Sequence, residues 1–123
     1  MTYEEIKNII SQGEGVNIEF KKSTTDITKD VYETVCAFSN REGGHILLGV
    51  KDDGTVIGVD RNRAERIRSD FVTSINNPNK MYPPLYLMIE NIEYDDKLII
   101  YIFVPESTQV CRCGGRIFDR NND

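Results

Sequence analysis

The chain has 123 residues, of which 39% are hydrophobic, and its formal net charge at pH 7 is −5. A chain of this length can enclose one hydrophobic core, so a single domain over residues 1–123 is expected. No apolar run of membrane-spanning length and no signal-peptide pattern is visible. The three cysteines are too few for a disulfide framework, which predicts reduced thiols and a cytoplasmic setting.

The first predicted elements are a short helix and a strand. Thr2 and Glu5 have the spacing of a capping box, so the helix is predicted to begin after Thr2 and to end at Gly13. Isoleucines at helical spacing form its apolar side. In residues 16–20 apolar and polar side chains alternate, which predicts a strand with one buried face.

The middle of the chain predicts a helix, a glycine turn and a buried strand. Apolar side chains at helical spacing favour a helix from about Thr28 to Asn40. Gly43-Gly44 permits a turn with positive φ angles, and Ile46–Val50 is apolar throughout, as expected for a strand covered on both faces. Asp53-Gly54 favours a hairpin turn, from which residues 55–59 are predicted to return as a strand.

The second half of the chain alternates helical and strand patterns. It predicts, in order, a helix from Asp60 to about Asn76, an irregular loop from Pro78 to Pro84, a hairpin of two strands (Leu85–Tyr94 and Leu98–Val104), a loop from Glu106 to Arg116 and a short strand at Ile117-Phe118. The whole order predicts an α+β fold, in which a mixed, largely antiparallel sheet is flanked by helices.

Several short motifs resemble, in their order and spacing, the signature of one family. They are Glu19-Phe20-Lys21, Ala37-Phe38-Ser39-Asn40, Gly43-Gly44, Gly49-Val50, Asp52-Asp53-Gly54 and Gly58-Val59. Together they resemble the Schlafen AlbA-like family. The resemblance implies the α+β fold above and a DNA-binding module at the N-terminal end of bacterial transcriptional regulators. It therefore also implies that this chain is the front module of a longer protein.

Three carboxylates are candidate catalytic and metal-binding residues: Glu14, Glu19 and Asp52, with Asp53 as the alternative to Asp52. Some Schlafen-type relatives cleave RNA, and the resemblance implies an acidic site of this spacing for such an enzyme. Clustered carboxylates hold Mg²⁺ or Mn²⁺, which can activate water at a phosphate. A straight strand would place Glu14 and Glu19 on opposite faces, so their convergence requires a bend at a flanking glycine. The alternative is that all are solvated turn and surface residues.

A basic group near the glycine turn is the candidate nucleic-acid-binding site. It comprises Lys21, Lys22, Lys29 and Arg41 with the backbone N–H groups of Gly43 and Gly44, and Arg112, Arg116 and Arg120 of the tail can extend it. Oriented backbone amides can receive a phosphate, and the cations can neutralise its neighbours. The acidic total charge opposes this interpretation, since non-specific nucleic-acid binding usually relies on a basic surface.

Three functions remain open from the sequence. The resemblance and the basic group favour a DNA-binding module of a transcriptional regulator, and the carboxylates favour a metal-dependent RNA endonuclease. A sensing or oligomerising module is the third, with Leu98–Val104 predicted as an exposed strand edge that pairs between subunits. No Gly-x-x-x-x-Gly-Lys motif occurs, so ATP hydrolysis has no support. We take the DNA-binding module as the leading hypothesis.

Overall fold

The computed structural model describes residues 1–119, which contain three helices and seven strands. In chain order the elements are α1 (Tyr3–Gln12), β1 (Ile18–Lys21), α2 (Lys29–Ser39), β2 (Gly44–Leu48), α3 (Ala64–Ile75), β3 (Met81–Tyr82), β4 (Met88–Tyr94), β5 (Lys97–Val104), β6 (Arg112–Cys113) and β7 (Arg116–Ile117). None of the helices in this part of the chain is long and apolar enough to span a membrane.

The strands form a main sheet and a small sheet. The strand order of the main sheet is β1-β2-β5-β4, with β1 parallel to β2 and the other neighbours antiparallel. The small sheet has the antiparallel order β3-β6-β7. The predicted fold class, an α+β fold with a mixed and largely antiparallel sheet, is therefore confirmed.

The strand β2 is buried on both faces, as predicted. Ile46 and Leu48 belong to the apolar cluster that includes residues of α2 and α3, whereas Leu47 belongs to the cluster beneath α1. All three side chains are fully buried, and each contributes about 2 kcal/mol of transfer free energy. Because side chains alternate along a strand, this one segment supplies both cores.

The helix α1 begins and ends at the predicted residues. The hydroxyl of Thr2 accepts the N–H of Glu5 at 3.1 Å, and the Glu5 carboxylate accepts the N–H of Thr2 at 3.0 Å. Gly13, with φ 78°, ends the helix. Buried Ile6 and Ile9 pack the helix onto the main sheet.

The predicted strand over residues 55–59 is wrong, and α3 starts later than predicted. The N–H groups of Ile57 and Gly58 both donate to the carbonyl of Gly49, at 2.9 and 2.8 Å. Two successive amides on one carbonyl cannot continue a ladder, because ladder bonds alternate along a strand. The Asp60 carboxylate accepts the N–H of Asn62 at 2.9 Å, so Asp60 forms a turn ahead of the helix.

The hairpin of β4 and β5 is confirmed at its turn, where Asp95 and Asp96 have φ angles of 48° and 66°. Its first strand begins at Met88, three residues after the predicted start. The predicted exposed edge at Leu98–Val104 is wrong, because β5 lies between β2 and β4. The outer strands of the main sheet are β1 and β4.

The small sheet was not predicted. The segment from Pro78 to Pro84 contains β3 and the segment from Glu106 to Arg116 contains β6, although both were predicted as loops. The predicted strand at residues 117–118 is displaced by one residue, to β7. Each of these strands has only two residues, and β3 pairs with the distant β6, while β6 and β7 form a hairpin across Gly114-Gly115, so they carry no periodic signal of their own.

We predict that Gly43→Ala lowers the free energy of unfolding by about 3 kcal/mol. Gly43 has φ 81°, and an added Cβ would lie 2.4 Å from the backbone oxygen of Val104, which cannot move away without breaking the β2–β5 end. Urea unfolding measures the change. The control is Gly15→Ala, where an added Cβ meets no atom within 4 Å, with an expected loss below about 1 kcal/mol. Equal losses in the two variants would contradict the packing at Gly43.

Candidate functional site

The predicted bend between Glu14 and Glu19 is present. Gly13 has a positive φ, and the N–H of Gly15 donates to the carbonyl of Ile18 at 3.0 Å, which folds residues 13–17 back over the start of β1. The Glu14 carboxylate consequently accepts the N–H of Phe20 at 3.0 Å and is hydrogen-bonded to the Glu19 carboxyl group. The two glutamates therefore meet despite their five-residue spacing.

The contact with a second carboxyl group changes the protonation of Glu14. Burial raises the pKa of Glu14 to about 7, and the hydrogen bond with Glu19 and the negative charges of Glu19 and Asp52 act in the same direction. The hydrogen bond from Phe20 opposes this rise. Near neutral pH a substantial fraction of Glu14 is therefore protonated.

The described carboxylates do not fit Mg²⁺ or Mn²⁺. Within residues 1–119, no three histidine, cysteine, aspartate or glutamate side chains are placed so that they could hold a metal ion. The alternative residue Asp53 accepts the N–H of Thr55 at 2.9 Å, which is a turn interaction. We therefore derive no metal-dependent step from this cluster.

Most of the predicted basic group is engaged in ion pairs. Lys21 Nζ lies 2.5 Å from the Asp30 carboxylate and 3.6 Å from that of Glu19. Lys29 lies 3.9 Å from Glu33, and Arg41 lies 3.5 Å from Asp119. Lys22 is exposed at the end of β1. The remaining predicted residue, Arg120, lies outside the described residues.

The predicted phosphate-binding amides have structural roles. The N–H of Gly43 donates to the carbonyl of Phe38 at 2.8 Å, and Gly44 is the first residue of β2, opposite Val104. An added Cβ at Gly44 would lie 2.8 Å from the ring of Phe38 and from the carbonyl of Asn17. The glycine pair therefore allows the close approach of α2, β1 and β5 at this point.

The small sheet exposes an aromatic and basic surface. Tyr82, Arg112 and Ile117 form one cross-strand row, and all three are exposed. The opposite side of the sheet carries the buried residues Met81 and Cys113. We define the small-sheet surface by the exposed side chains of Lys80, Tyr82, Arg112 and Ile117 on this face, together with Arg116, which pairs with Cys113 and reaches solvent from the other face of the edge strand β7.

A cavity adjoins the small-sheet surface on the side of α2. Its volume is about 370 Å³, and its lining includes Lys29, Tyr32, Lys80, Met81 and Gly114. Lys29 and Lys80 therefore lie on one concavity, although 51 residues separate them in the sequence. The N–H of Gly114 donates to the carbonyl of Lys80 at 2.8 Å, which ties the β6–β7 turn to this cavity.

The sequence interpretation missed Lys80 and Tyr82. Both residues lie in the segment predicted as an irregular loop because of its prolines. The available signal was the alternation in Lys80-Met81-Tyr82 and in Arg112-Cys113, where an apolar residue stands beside polar or aromatic neighbours. An alternation of two or three residues does not distinguish a strand from a loop unless it is known that the two segments pair.

These features define an α+β domain in which a mixed sheet is covered by α1 on one face and by α2 and α3 on the other. The family described as Schlafen, AlbA_2 matches residues 14–123, and the chain belongs to this family. The resemblance found in the sequence motifs is thereby confirmed.

One sequence relative and two solved structures extend this comparison. The chain is 39% identical over 67 residues to an uncharacterized ATP-binding protein, UU034, of Ureaplasma parvum serovar 3, a match that covers 52% of this chain and 19% of that protein. The N-terminal domain of a RecG-related protein from Nitrosomonas europaea has a TM-score of 0.65 and 22% identity, covering 94% of this chain and 88% of that one. The DIP2311 protein of Corynebacterium diphtheriae has a TM-score of 0.64 and 12% identity, covering 97% and 25%. The two structural likenesses establish the fold.

We predict that Glu14→Gln removes a pH dependence of stability. The pKa of Glu14 is raised from 4.5 to about 7 in the folded chain, so its contribution to stability is full below pH 4.5 and is lost as the pH rises through about 7. Glutamine imitates the protonated form. The variant should therefore be more stable at about pH 8 by about 1 kcal/mol, a value reduced for the solvent exposure of the side chain.

Urea unfolding at about pH 5 and pH 8 measures this difference. The matched control is Glu42→Gln, which removes the same charge from another exposed glutamate, at the end of α2. If Glu14→Gln and the parent chain lose stability equally between the two pH values, the raised pKa does not belong to Glu14.

Proposed function

We propose that this domain binds nucleic acid through the small-sheet surface, with DNA as the first candidate ligand. The observation that carries the proposal is the grouping of exposed cations around exposed Tyr82 on a sheet without acidic side chains. The strands β3, β6 and β7 contain two arginines and no aspartate or glutamate. Membership of the Schlafen, AlbA_2 family supports the same class of ligand. The RecG-related structural neighbour, which is named after an ATP-dependent DNA helicase, supports it as well.

The charges of this surface differ from those elsewhere on the acidic chain. The ion pairs within residues 1–119 engage most basic side chains of the predicted group and three arginines in or next to α3. None of the ion pairs in this part of the chain includes Lys80, Arg112 or Arg116. A phosphate can therefore be neutralised here without displacing a carboxylate.

The side chains of the small-sheet surface suit a nucleic-acid strand. The Tyr82 side chain is 61% exposed and lies directly opposite Arg112, so a base can stack on the ring while the guanidinium contacts an adjacent phosphate. Arg116 lies over the Phe118 ring, with 5.4 Å from its guanidinium carbon to the ring centroid. It is exposed on the other face of the edge strand β7, so it can contact a phosphate of a strand that continues around this edge.

The lysines of the predicted basic group are secondary in this proposal. Lys29 shares the cavity with Lys80, so it can contact a phosphate beyond the small sheet. Lys22 is exposed and contributes long-range attraction, whereas Lys21 and Arg41 would first have to leave their carboxylate partners. More specifically, we propose that the domain binds DNA as the N-terminal module of a transcriptional regulator.

We predict that the double variant Arg112→Ala/Arg116→Ala binds an oligonucleotide at least about tenfold more weakly than the parent chain at low salt. Each arginine that contacts a phosphate contributes about one to the slope of log Kd against log salt, so the slope should fall by about two. Tyr82→Ala should weaken binding to single-stranded DNA about tenfold and leave this slope unchanged, because stacking releases few counterions. Fluorescence anisotropy with labelled single-stranded and duplex DNA measures both effects.

The matched control is Arg61→Ala/Arg66→Ala, which removes the same charge from arginines that are paired with Glu93 and Asp70. It should change the affinity less than threefold, a factor that reflects net charge alone. A larger loss in Lys21→Ala/Lys22→Ala than in the small-sheet variant would move the site to β1. Absence of binding at low salt would exclude nucleic-acid binding by this domain.

A further inference from the structure

The three cysteines lie where the small sheet packs against α2. Cys36 and Cys111 are fully buried, and Cys113 is 8% exposed. Cys36 is on the third turn of α2, and Cys111 immediately precedes β6. All three are free thiols.

The Cys36 thiol is in direct contact with Cys111. The Cys36 Sγ donates to the backbone carbonyl of Cys111 at 2.9 Å. The Cys111 thiol also donates to the thioether of Met81 at 3.3 Å. Two thiols from segments 75 residues apart thus share one buried space.

Asn40 clamps the backbone of Cys111 in this position. Its side-chain oxygen accepts the N–H of Cys111 at 2.7 Å, and its amide nitrogen donates to the carbonyl of Cys111 at 2.9 Å. The same nitrogen donates to the carbonyl of Phe118 at 2.8 Å and lies 3.7 Å from Cys36 Sγ. The Asn40 side chain therefore fixes the backbone of Cys111 and Phe118 and also lies beside the sulfur of Cys36.

We propose that Cys36 and Cys111 form a thiol–disulfide modification site that is oxidised by hydrogen peroxide and reversed by a dithiol. The Cys36 thiolate attacks a peroxide oxygen, the O–O bond breaks, and the products are a Cys36 sulfenic acid and hydroxide, which takes the proton released from the thiol and leaves as water. The Cys111 sulfur then attacks the Cys36 sulfur, the S–O bond breaks, and the Cys111 proton leaves with the oxygen as a second water. Two thiols are oxidised and one peroxide is reduced.

The environment of the two sulfurs assigns their roles. The hydrogen bond from the Cys111 side chain lowers the pKa of Cys36, which favours Cys36 as the thiolate. The hydrogen bond with Cys36 and burial raise the pKa of Cys111, so it is the resolving thiol. Cys113 lines the cavity that Lys29 and Met81 also line, whereas the hydrogen bonds of Cys36 and Asn40 are made to Cys111, which places Cys113 outside the pair.

A small oxidant has a short route to this pair. A cavity of about 270 Å³ is lined by Asn40, Val110 and Phe118, among other residues of the tail. Asn40 lines this cavity, and its amide nitrogen lies 3.7 Å from Cys36 Sγ. Movement of the Asn40 side chain, which would break its hydrogen bonds to Cys111 and Phe118, would therefore open the sulfur to the cavity. The resulting disulfide would fix the segment before β6 covalently to α2, in place of the Asn40 clamp.

The test uses the chain with all three thiols reduced. After exposure to hydrogen peroxide, unfolding and alkylation with iodoacetamide, mass spectrometry should show one alkylated cysteine instead of three. Peptide mapping should find Cys36 linked to Cys111, and dithiothreitol should restore three alkylation sites. Cys113→Ser should lose both remaining sites on oxidation, while Cys36→Ser and Cys111→Ser should lose none to an intramolecular bond.

The Cys113→Ser variant decides the outcome even if substitution of a buried partner disturbs folding, because it leaves the pair intact. A bond that includes Cys113, a bond between two chains, or full alkylation after peroxide treatment would overturn the proposal. So would sulfinic acid at Cys36 without a bond to Cys111, since it would show that Cys111 does not resolve the sulfenic acid.

Discussion

The passage of β2 through the centre of the domain is the constraint on which the other elements depend. Its backbone pairs with β1 on one side and with β5 on the other, and its side chains enter both apolar clusters. A strand can occupy that position only if the preceding turn comes close to the end of β5. Gly43 allows this approach, because any side chain there would collide with the backbone of Val104. The conformational entropy lost on ordering three helices around one sheet is offset by burial of apolar surface, to which β2 and β5 contribute in both clusters.

The position of β2 also explains the acidic cluster. Because β1 is an outer strand of the main sheet, its edge away from β2 presents backbone groups that a second chain could pair with. The turn of residues 13–17 covers this edge: Gly15 donates to Ile18, and the Glu14 carboxylate accepts the N–H of Phe20. The contact of Glu14 with Glu19 follows from this edge protection, and it raises the pKa of Glu14 instead of presenting a ligand set for a cation. The small sheet is formed by other segments of the chain, and its arginines are exposed away from this acidic cluster.

The sequence predicted the features that depend on local patterns. The α1 capping box, the two-faced burial of Ile46–Val50 and the Asp95-Asp96 turn follow from residue type and spacing, and the structure contains all three. The central place of β5 could not be predicted in the same way, because strand order is decided by pairing between distant segments. Ion-pair partners were missed for the same reason: the carboxylate of Asp119 lies 78 residues from Arg41 in the sequence. Side-chain charge can be counted from a sequence, but its neutralisation depends on the fold.

The most direct test of nucleic-acid binding through the small sheet is a titration of the ¹⁵N-labelled domain with a short single-stranded DNA, followed by two-dimensional NMR. The proposal predicts the largest shifts for the backbone amides of Lys80, Tyr82 and Arg112 and for the Gly114-Gly115 turn, with little change at the Gly43-Gly44 turn. These amides lie in or beside the three strands that carry the exposed cations. Shifts confined to residues 19–22 or to the Gly43-Gly44 turn, or spectra unchanged at saturating DNA, would contradict it.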